Sequence, residues 1–276
     1  MSSQAGPRVD AADPAHPGPG LLVEAADLEL RYGAYVALAA STFQVPKVGV
    51  VAVIGPNGSG KSTLLSALAG LVPIASGRLR VLGKEPHDAR RRLSFVMQST
   101  PVPPVTPITV REVVALGRFA QLGMFGRFRA ADRRAVAEAM ARMEISHLAD
   151  RHMRELSGGQ RQRVLIAQGM VQEHDLLLLD EPLTGLDITS AATIDDLIHE
   201  RRDDGCSVIM TTHDLDEARA ADWVILVSGR VVSSGPPAEV CNRHNLEIAY
   251  GLGATHDWEG FIDDPAHDGH HHGPGA

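Results

Sequence analysis

Residues 55–62 read GPNGSGKS and fit the spacing G-x-x-x-x-G-K-[ST]. Each residue type in that pattern suits phosphate. Glycines let backbone N–H groups turn inward on an anion, Lys61 supplies charge, and the Ser62 hydroxyl is a hard ligand for Mg²⁺. Gly55, Asn57, Gly58, Ser59 and Gly60 form the body of this loop, and Thr63 follows it into the next element. Farther along, LLLLDE, residues 176–181, sets two carboxylates at the end of an apolar run. Asp180 suits the metal side of a phosphate site, and Glu181 suits a general base that orients and deprotonates water. The alternative is an acidic cap that opens a solvated loop.

Three single residues extend this set. His213 ends the next apolar run, IMTTHD, where a neutral imidazole can hydrogen-bond phosphate or water, or serve as a core or cap histidine. Gln98, ending LSFVMQ, is open between the same kinds of role. Tyr32 offers an aromatic face for stacking, or simply packs within a strand. A second glycine-rich stretch, LSGGQ at residues 156–160, precedes a helical pattern. Ser157, Gly158, Gly159 and Gln160 would then form a helix N-terminus with free N–H groups and a positive dipole end, an anion site in its own right.

The elements that must position these residues are legible as alternating patterns. LLVEAADLELRYG and YVALAASTFQV alternate as an antiparallel strand pair. VGVVAVIG is an apolar β-branched run that ends in the glycine loop, and KSTLLSALAGL continues it with helical periodicity. GRLRVLG and RRLSFVMQ read as short strands, with a basic turn or short helix at residues 86–92. A proline-rich stretch from residue 99 leads into the amphipathic patterns VREVVALGRF and ADRRAVAEAMARMEI, which predict a helical insertion over about 99–160. DLLLLDEP, CSVIMTTHD and DWVILVSGR then read as buried, parallel-type strands separated by the helices GGQRQRVLIAQGMVQ and TSAATIDDLIHERRD. This alternation predicts an α/β domain with a mostly parallel sheet, a smaller antiparallel β unit and a helical insertion.

The 276 residues are 44% hydrophobic with a net charge of −8, a normal globular balance that carries no electrostatic footprint for nucleic acid. Cys206 and Cys241 lack CxxC spacing and the number a disulfide framework needs, which predicts thiols in a reducing compartment. No run approaches the about 20 apolar residues of a membrane span, and no signal-peptide pattern opens the chain. Residues 1–20, rich in Pro, Gly, Ala and Asp, are expected to be a flexible lead-in, followed by one domain over 21–240 and a tail over 241–276. From His244 onward that tail holds six of the thirteen histidines, interspersed with carboxylates. Such a composition can bind Zn²⁺ or related ions, or can be a solvated polar tail.

GPNGSGKST, Gln98, LSGGQ, LLLLDEP, the TGLD of residues 184–187 and His213, in this order, resemble the ATP-binding-cassette ATPases over roughly residues 21–240. The resemblance implies ATP and Mg²⁺ at the first loop, with Ser62, Gln98 and Asp180 around the metal and Tyr32 stacking on adenine. It implies Glu181, His213 and Lys61 as the catalytic set, and Gln98 as the switch between nucleotide and membrane partner. It also implies a head-to-tail homodimer in which Ser157, Gly158, Gly159 and Gln160 reach the ATP of a second copy, with Asp187 at the interface. Two positions depart from the usual pattern. Met97 stands where proline commonly precedes the glutamine, and AQGM follows the signature helix where an Arg-Ala pair is common.

A cassette without membrane spans implies separate permease subunits, as in bacterial importers, and a place on the cytoplasmic side of the membrane. Residues 103–140, together with DEPLTGLD, look most similar to the manganese, zinc and iron(II) branch, which implies an extracytoplasmic metal-binding protein as a further partner. Siderophore, haem and cobalamin ATPases share similar text and form the alternative. A soluble, non-transport ATPase acting on ribosomes or DNA is the reading from a different class, and a tail acting as metal buffer or sensor is a third.

Overall fold

The computed structural model describes residues 20–98, 107–122, 127–172, 174–203 and 205–251. The lead-in and most of the histidine-rich tail therefore lie outside the described residues. In chain order the elements are β1 (Leu21–Tyr32), β2 (Tyr35–Pro46), β3 (Val50–Ile54), α1 (Lys61–Leu68), β4 (Ile74–Val81), α2 (Pro86–Ala89) and β5 (Leu93–Val96). There follow α3 (Val110–Leu122), α4 (Ala130–Arg142), α5 (Gly158–Met170), β6 (Leu176–Leu179), α6 (Ile188–Asp203) and β7 (Ser207–Thr211). The chain continues through α7 (Leu215–Ala220), β8 (Trp223–Val227), β9 (Val231–Gly235), α8 (Pro237–Val240) and α9 (Arg243–Tyr250).

Six strands form one sheet in the order β5-β6-β7-β3-β8-β9, parallel throughout except for β9, which pairs antiparallel to β8 at the edge. A second, antiparallel sheet has the order β2-β1-β4. The expected α/β architecture, mostly parallel with a separate antiparallel unit and added helices, is the one observed.

Period-two alternation divides the interior into two cores. Along β3, Val50, Ala52 and Ile54 point into one core, while Val51 and Val53 point into the other. The same division separates Leu177 and Leu179 from Leu176 and Leu178 on β6. One core is closed by the helices α3 to α6, through residues such as Val114, Met140, Ile166 and Ile194. The other is closed by α1 and the antiparallel sheet, through Leu64, Leu65, Leu28 and Leu79. The central strands are buried on both faces, which is why they read as continuous apolar runs.

The helical insertion is tied together by an ion pair between Arg118 on α3 and Asp132 on α4, 2.9 Å apart and largely buried. Asp132 also accepts from the Arg129 N–H at 2.7 Å, and this bond, with the Arg118 guanidinium, holds its carboxyl below the usual carboxylate range. Arg118 reaches α5 as well, donating to the Val171 carbonyl at 3.1 Å.

Two features lie beyond the sequence reading. β9 has a partly buried, weakly alternating pattern that gives little periodic signal before its pairing with β8 is known. Cys241 to Tyr250, placed in the tail by that reading, includes α9, which seats Leu246 and Ala249 in the helical core. No disulfide joins Cys206 and Cys241. No helix among the described residues is long and apolar enough to cross a membrane.

Candidate functional site

The loop after β3 is wedged between strands of both sheets. Gly55, Gly58 and Gly60 have φ of 148°, 76° and 105°, in the region that favours glycine. At Gly55 a Cβ would collide with the Val227 carbonyl on β8, and at Gly60 with the Ala37 carbonyl on β2. Backbone bonds fix the loop from outside: Gly229 N–H donates to Ser59 O at 2.9 Å, and Ala39 N–H to Gly229 O at 2.7 Å. Gly60 is the N-cap of α1, with no side-chain cap and no acidic residue in the first turn. The N–H groups and positive dipole end of α1 are thus left for an anion.

Lys61 is 6% exposed and lays its ammonium across the loop, donating to Gly55 O at 2.8 Å and Pro56 O at 3.0 Å. Burial lowers its pKa from the ordinary lysine value, while the Glu181 and Asp180 charges act to raise it. The Ser59 hydroxyl is buried and has no hydrogen-bond partner among the described residues.

Two carboxylates arrive from the end of β6. Asp180 Oδ1 accepts from Ser62 Oγ on α1 at 3.0 Å and from Thr211 Oγ1 on β7 at 2.6 Å. The same threonine hydroxyl accepts from the Glu181 N–H at 2.8 Å. Three elements are therefore joined at one buried point. Glu181 has φ 47°, a left-handed conformation that a β-branched or bulky residue rarely takes and that costs about 1–3 kcal/mol. Its side chain accepts from Gln98 Nε2 at 2.6 Å, which links the exit of β5 to the exit of β6.

These groups border a cleft of about 260 Å³ lined by Tyr35, Ala37, Asn57, residues 58–63 and Glu181. Tyr35 is an addition to the sequence reading. It pairs with Tyr32 across the β1–β2 turn, the two residues are 63% and 52% exposed, and Tyr35 lines the cleft where Tyr32, the aromatic expected at the nucleotide, does not. The only prior signal was a second tyrosine three residues after the first. The paired hard oxygens of Ser62 and Asp180 are a donor set that fits Mg²⁺. Gln98 lies with Glu181 through its amide. Among the described residues no group of three His, Cys, Asp or Glu side chains is arranged to hold a metal ion.

Other expected residues stand apart from this cleft. Ser157 caps α5 in a reciprocal box: its hydroxyl accepts from Gln160 N–H at 3.2 Å, and its N–H donates to Gln160 Oε1 at 3.1 Å. None of residues 157–160 lines the phosphate-loop cleft. Gly159 packs instead against Asp187 and Ser190 at the start of α6. The Asp187 carboxyl accepts from Ser190 twice, and these bonds hold it below the ordinary aspartate range. His213 borders a second cleft, of about 490 Å³, between α7 and α9.

Comparison with known proteins agrees with this geometry. The model of the ABC transporter family matches residues 38–184. The manganese transport system ATP-binding protein MntB of Bacillus subtilis is 35% identical over 230 residues, covering 83% of this chain and 92% of the relative. The ferric enterobactin transport ATP-binding protein FepC of Escherichia coli is 38% identical over 246 residues, covering 86% and 88%. Among solved structures, the ATP-binding cassette MJ0796, a dimer in a post-hydrolysis state with ADP and phosphate, aligns with a TM-score of 0.69 at 26% identity, over 78% of this chain and 98% of that one. A glycine loop clamped between two sheets and a strand end carrying Asp180 and Glu181 are, in this chain, the work of an ATP-binding ATPase of the ABC transporter family, to which it belongs.

Proposed function

We propose that this ATPase drives import of a divalent metal ion, manganese or zinc, as a head-to-tail pair at the cytoplasmic face of a membrane. It would act on separate permease subunits that are supplied by an extracytoplasmic metal-binding protein. The observation that carries the hydrolytic part is the junction of Ser62, Asp180, Thr211 and Glu181, which converges beside the phosphate loop. The likeness to MntB over most of both chains supports the metal. The histidine-rich tail, outside the described residues, has the nitrogen and oxygen donors that such ions take.

In this reading the open N-terminus of α1 and the Lys61 ammonium hold the phosphates of ATP, and Tyr35 or Tyr32 offers a face to the base. Ser62 and Asp180 hold Mg²⁺, which when bound neutralises phosphate charge. Glu181 takes a proton from water as the water oxygen bonds to the γ-phosphorus. The bond from that phosphorus to the bridging oxygen breaks, and the products are ADP and phosphate. Gln98, bonded to Glu181, relates this base to the segment that follows β5. The second glycine helix does not line its own chain's cleft, which supports a role for Ser157 at the ATP of a second copy. His213 approaches the phosphates when the two copies close.

A second reading, uptake of a ferric siderophore, is favoured by the 38% identity to FepC. Reconstitution of the chain with its permease in vesicles, supplied with either labelled manganese and zinc or a ferric siderophore, separates the two. ATP-dependent accumulation of the free divalent ion is expected. Accumulation of the siderophore complex alone would replace the first reading with the second.

A further inference from the structure

The N-termini of α5 and α6 meet at a contact that leaves no room for a side chain. A Cβ at Gly159 would stand 2.8 Å from Ser190 Oγ and 3.0 Å from Asp187 Oδ2. Ser190 is 2% exposed and is committed wholly to Asp187. Its N–H donates to Oδ1 at 2.9 Å and its hydroxyl to Oδ2 at 2.9 Å, so one residue holds both carboxylate oxygens. Arg163 on α5 adds attraction from the other side of the joint. Around this buried joint the surface is exposed: Ser157, Gly158, Asp187 and an Ile188 side chain that is 90% exposed.

We propose that Ser190 is a positioning residue for ATP hydrolysis. It fixes the Asp187 carboxylate and, through the bare backbone of Gly159, the depth at which α5 sits against α6. Ser157, Gly158 and Asp187 then form one pre-set surface for the second copy of the chain. Association favours groups that are already ordered, because each side chain that must be immobilised on contact weakens binding. Without the Ser190 hydroxyl, the Asp187 carboxylate keeps backbone N–H donors alone, from Ser190 and from its own residue, and Oδ2 loses its side-chain donor. The buried space beside Gly159 is released as well.

This inference rests on the head-to-tail reading, and the experiment keeps the two apart. The full chain carrying Glu181→Gln is titrated with ATP and followed by size-exclusion chromatography, alone and with Ser190→Ala or Ser190→Thr added. Fluorescent-nucleotide binding is measured at protein concentrations too low for pairing. With Ser190→Ala, half-maximal pairing should need about tenfold more ATP, the factor that loss of one hydrogen bond to a charged group carries. Nucleotide binding by the single chain should be unchanged, and Ser190→Thr should restore pairing. Failure of Glu181→Gln itself to pair would overturn the head-to-tail reading and this inference with it. Pairing of the Ser190→Ala variant at an unchanged ATP concentration would overturn the inference alone. So would a parallel loss of single-chain nucleotide binding, which would mark Ser190 as a general support of the fold.

Discussion

Two helices of this chain begin with glycine-rich turns, and they use the same backbone chemistry in opposite ways. At α1 the capping residue is Gly60, with no side-chain cap, and the preceding glycines hold left-handed conformations that bend the loop around a point. At α5 the capping residue is Ser157, the box with Gln160 satisfies one N–H of the helix, and the turn has no left-handed glycine. The first arrangement leaves the start of α1 without a side-chain cap and open to its own cleft. The second presents an exposed, side-chain-capped end that does not line that cleft. Glycine serves conformation in the first loop and close approach in the second, where Gly159 admits Ser190 and Asp187.

The contrast is tested most severely by Lys61→Ala. Removing the one buried cation of the enclosing loop should reduce ATP hydrolysis by about a hundred- to a thousandfold, as losing a preorganised donor to developing charge does. Nucleotide binding by the single chain should weaken as well, measured by fluorescent-nucleotide titration. Ser157→Ala is next. The Ser157 oxygen accepts within the box and its hydrogen stays available to donate, so turnover should fall by about tenfold to a hundredfold. Single-chain nucleotide binding should be intact. Equal loss of binding in both variants would erase the distinction between the two helix ends.

The neighbouring glycines of α5 give a smaller and more local test. A Cβ at Gly158 meets nothing within 4 Å, whereas one at Gly159 meets Ser190 and Asp187. Gly158→Ala should therefore leave the melting temperature unchanged or raise it, since alanine favours a helix over glycine by up to about 1 kcal/mol. Gly159→Ala should lower stability by about 1–3 kcal/mol, the usual range for overpacking. Thermal melts should place Gly159→Ala below the parent and Gly158→Ala at or above it. Gly158→Ala should nonetheless hinder ATP-dependent pairing if that exposed surface meets a second copy.

Much of the architecture could be read because the central strands are mostly apolar runs and the first glycine-rich turn sits between a strand and a helix. Leu176 to Leu179, buried on both faces, read as a parallel strand before any neighbour was known. The features that escaped depend on which elements become neighbours. Tyr35 lines the cleft because β2 runs beside the glycine loop, with the Ala37 carbonyl against Gly60. Ser190 is an ordinary helix serine in the text, and its importance comes from Gly159, far earlier in the chain, closing against it. The Gln98 to Glu181 bond likewise requires β5 and β6 to be adjacent. α9 was obscured by the histidine-rich text that follows it, although Leu246, Ala249 and Tyr250 already have the spacing of one helical face.

A third helix N-terminus, that of α7, sharpens the comparison by its charge. Asp214 caps it by accepting from the N–H groups of Asp216 at 2.7 Å and Glu217 at 3.4 Å, so carboxylates already occupy the positive end of this helix. Glu217 is the exception within this acidic turn, because burial raises its pKa above the ordinary 4.5, opposed by the Thr212 hydroxyl and His213, while Asp214 and Asp195 act in the same direction as burial. Below pH 4.5 the group is protonated in folded and unfolded chains alike and has no pH-linked cost. As pH rises through the higher folded value, the folded chain must ionise a half-buried carboxyl, and stability is lost to the full extent only above that value. Glu217→Gln, neutral at every pH, should therefore melt at a higher temperature than the parent at pH 7, by about 2–4 °C for each kcal/mol relieved, and at the same temperature near pH 4. A lower melting temperature than the parent at pH 7, with equality near pH 4, would show that the dipole of α7, rather than burial, governs this carboxyl.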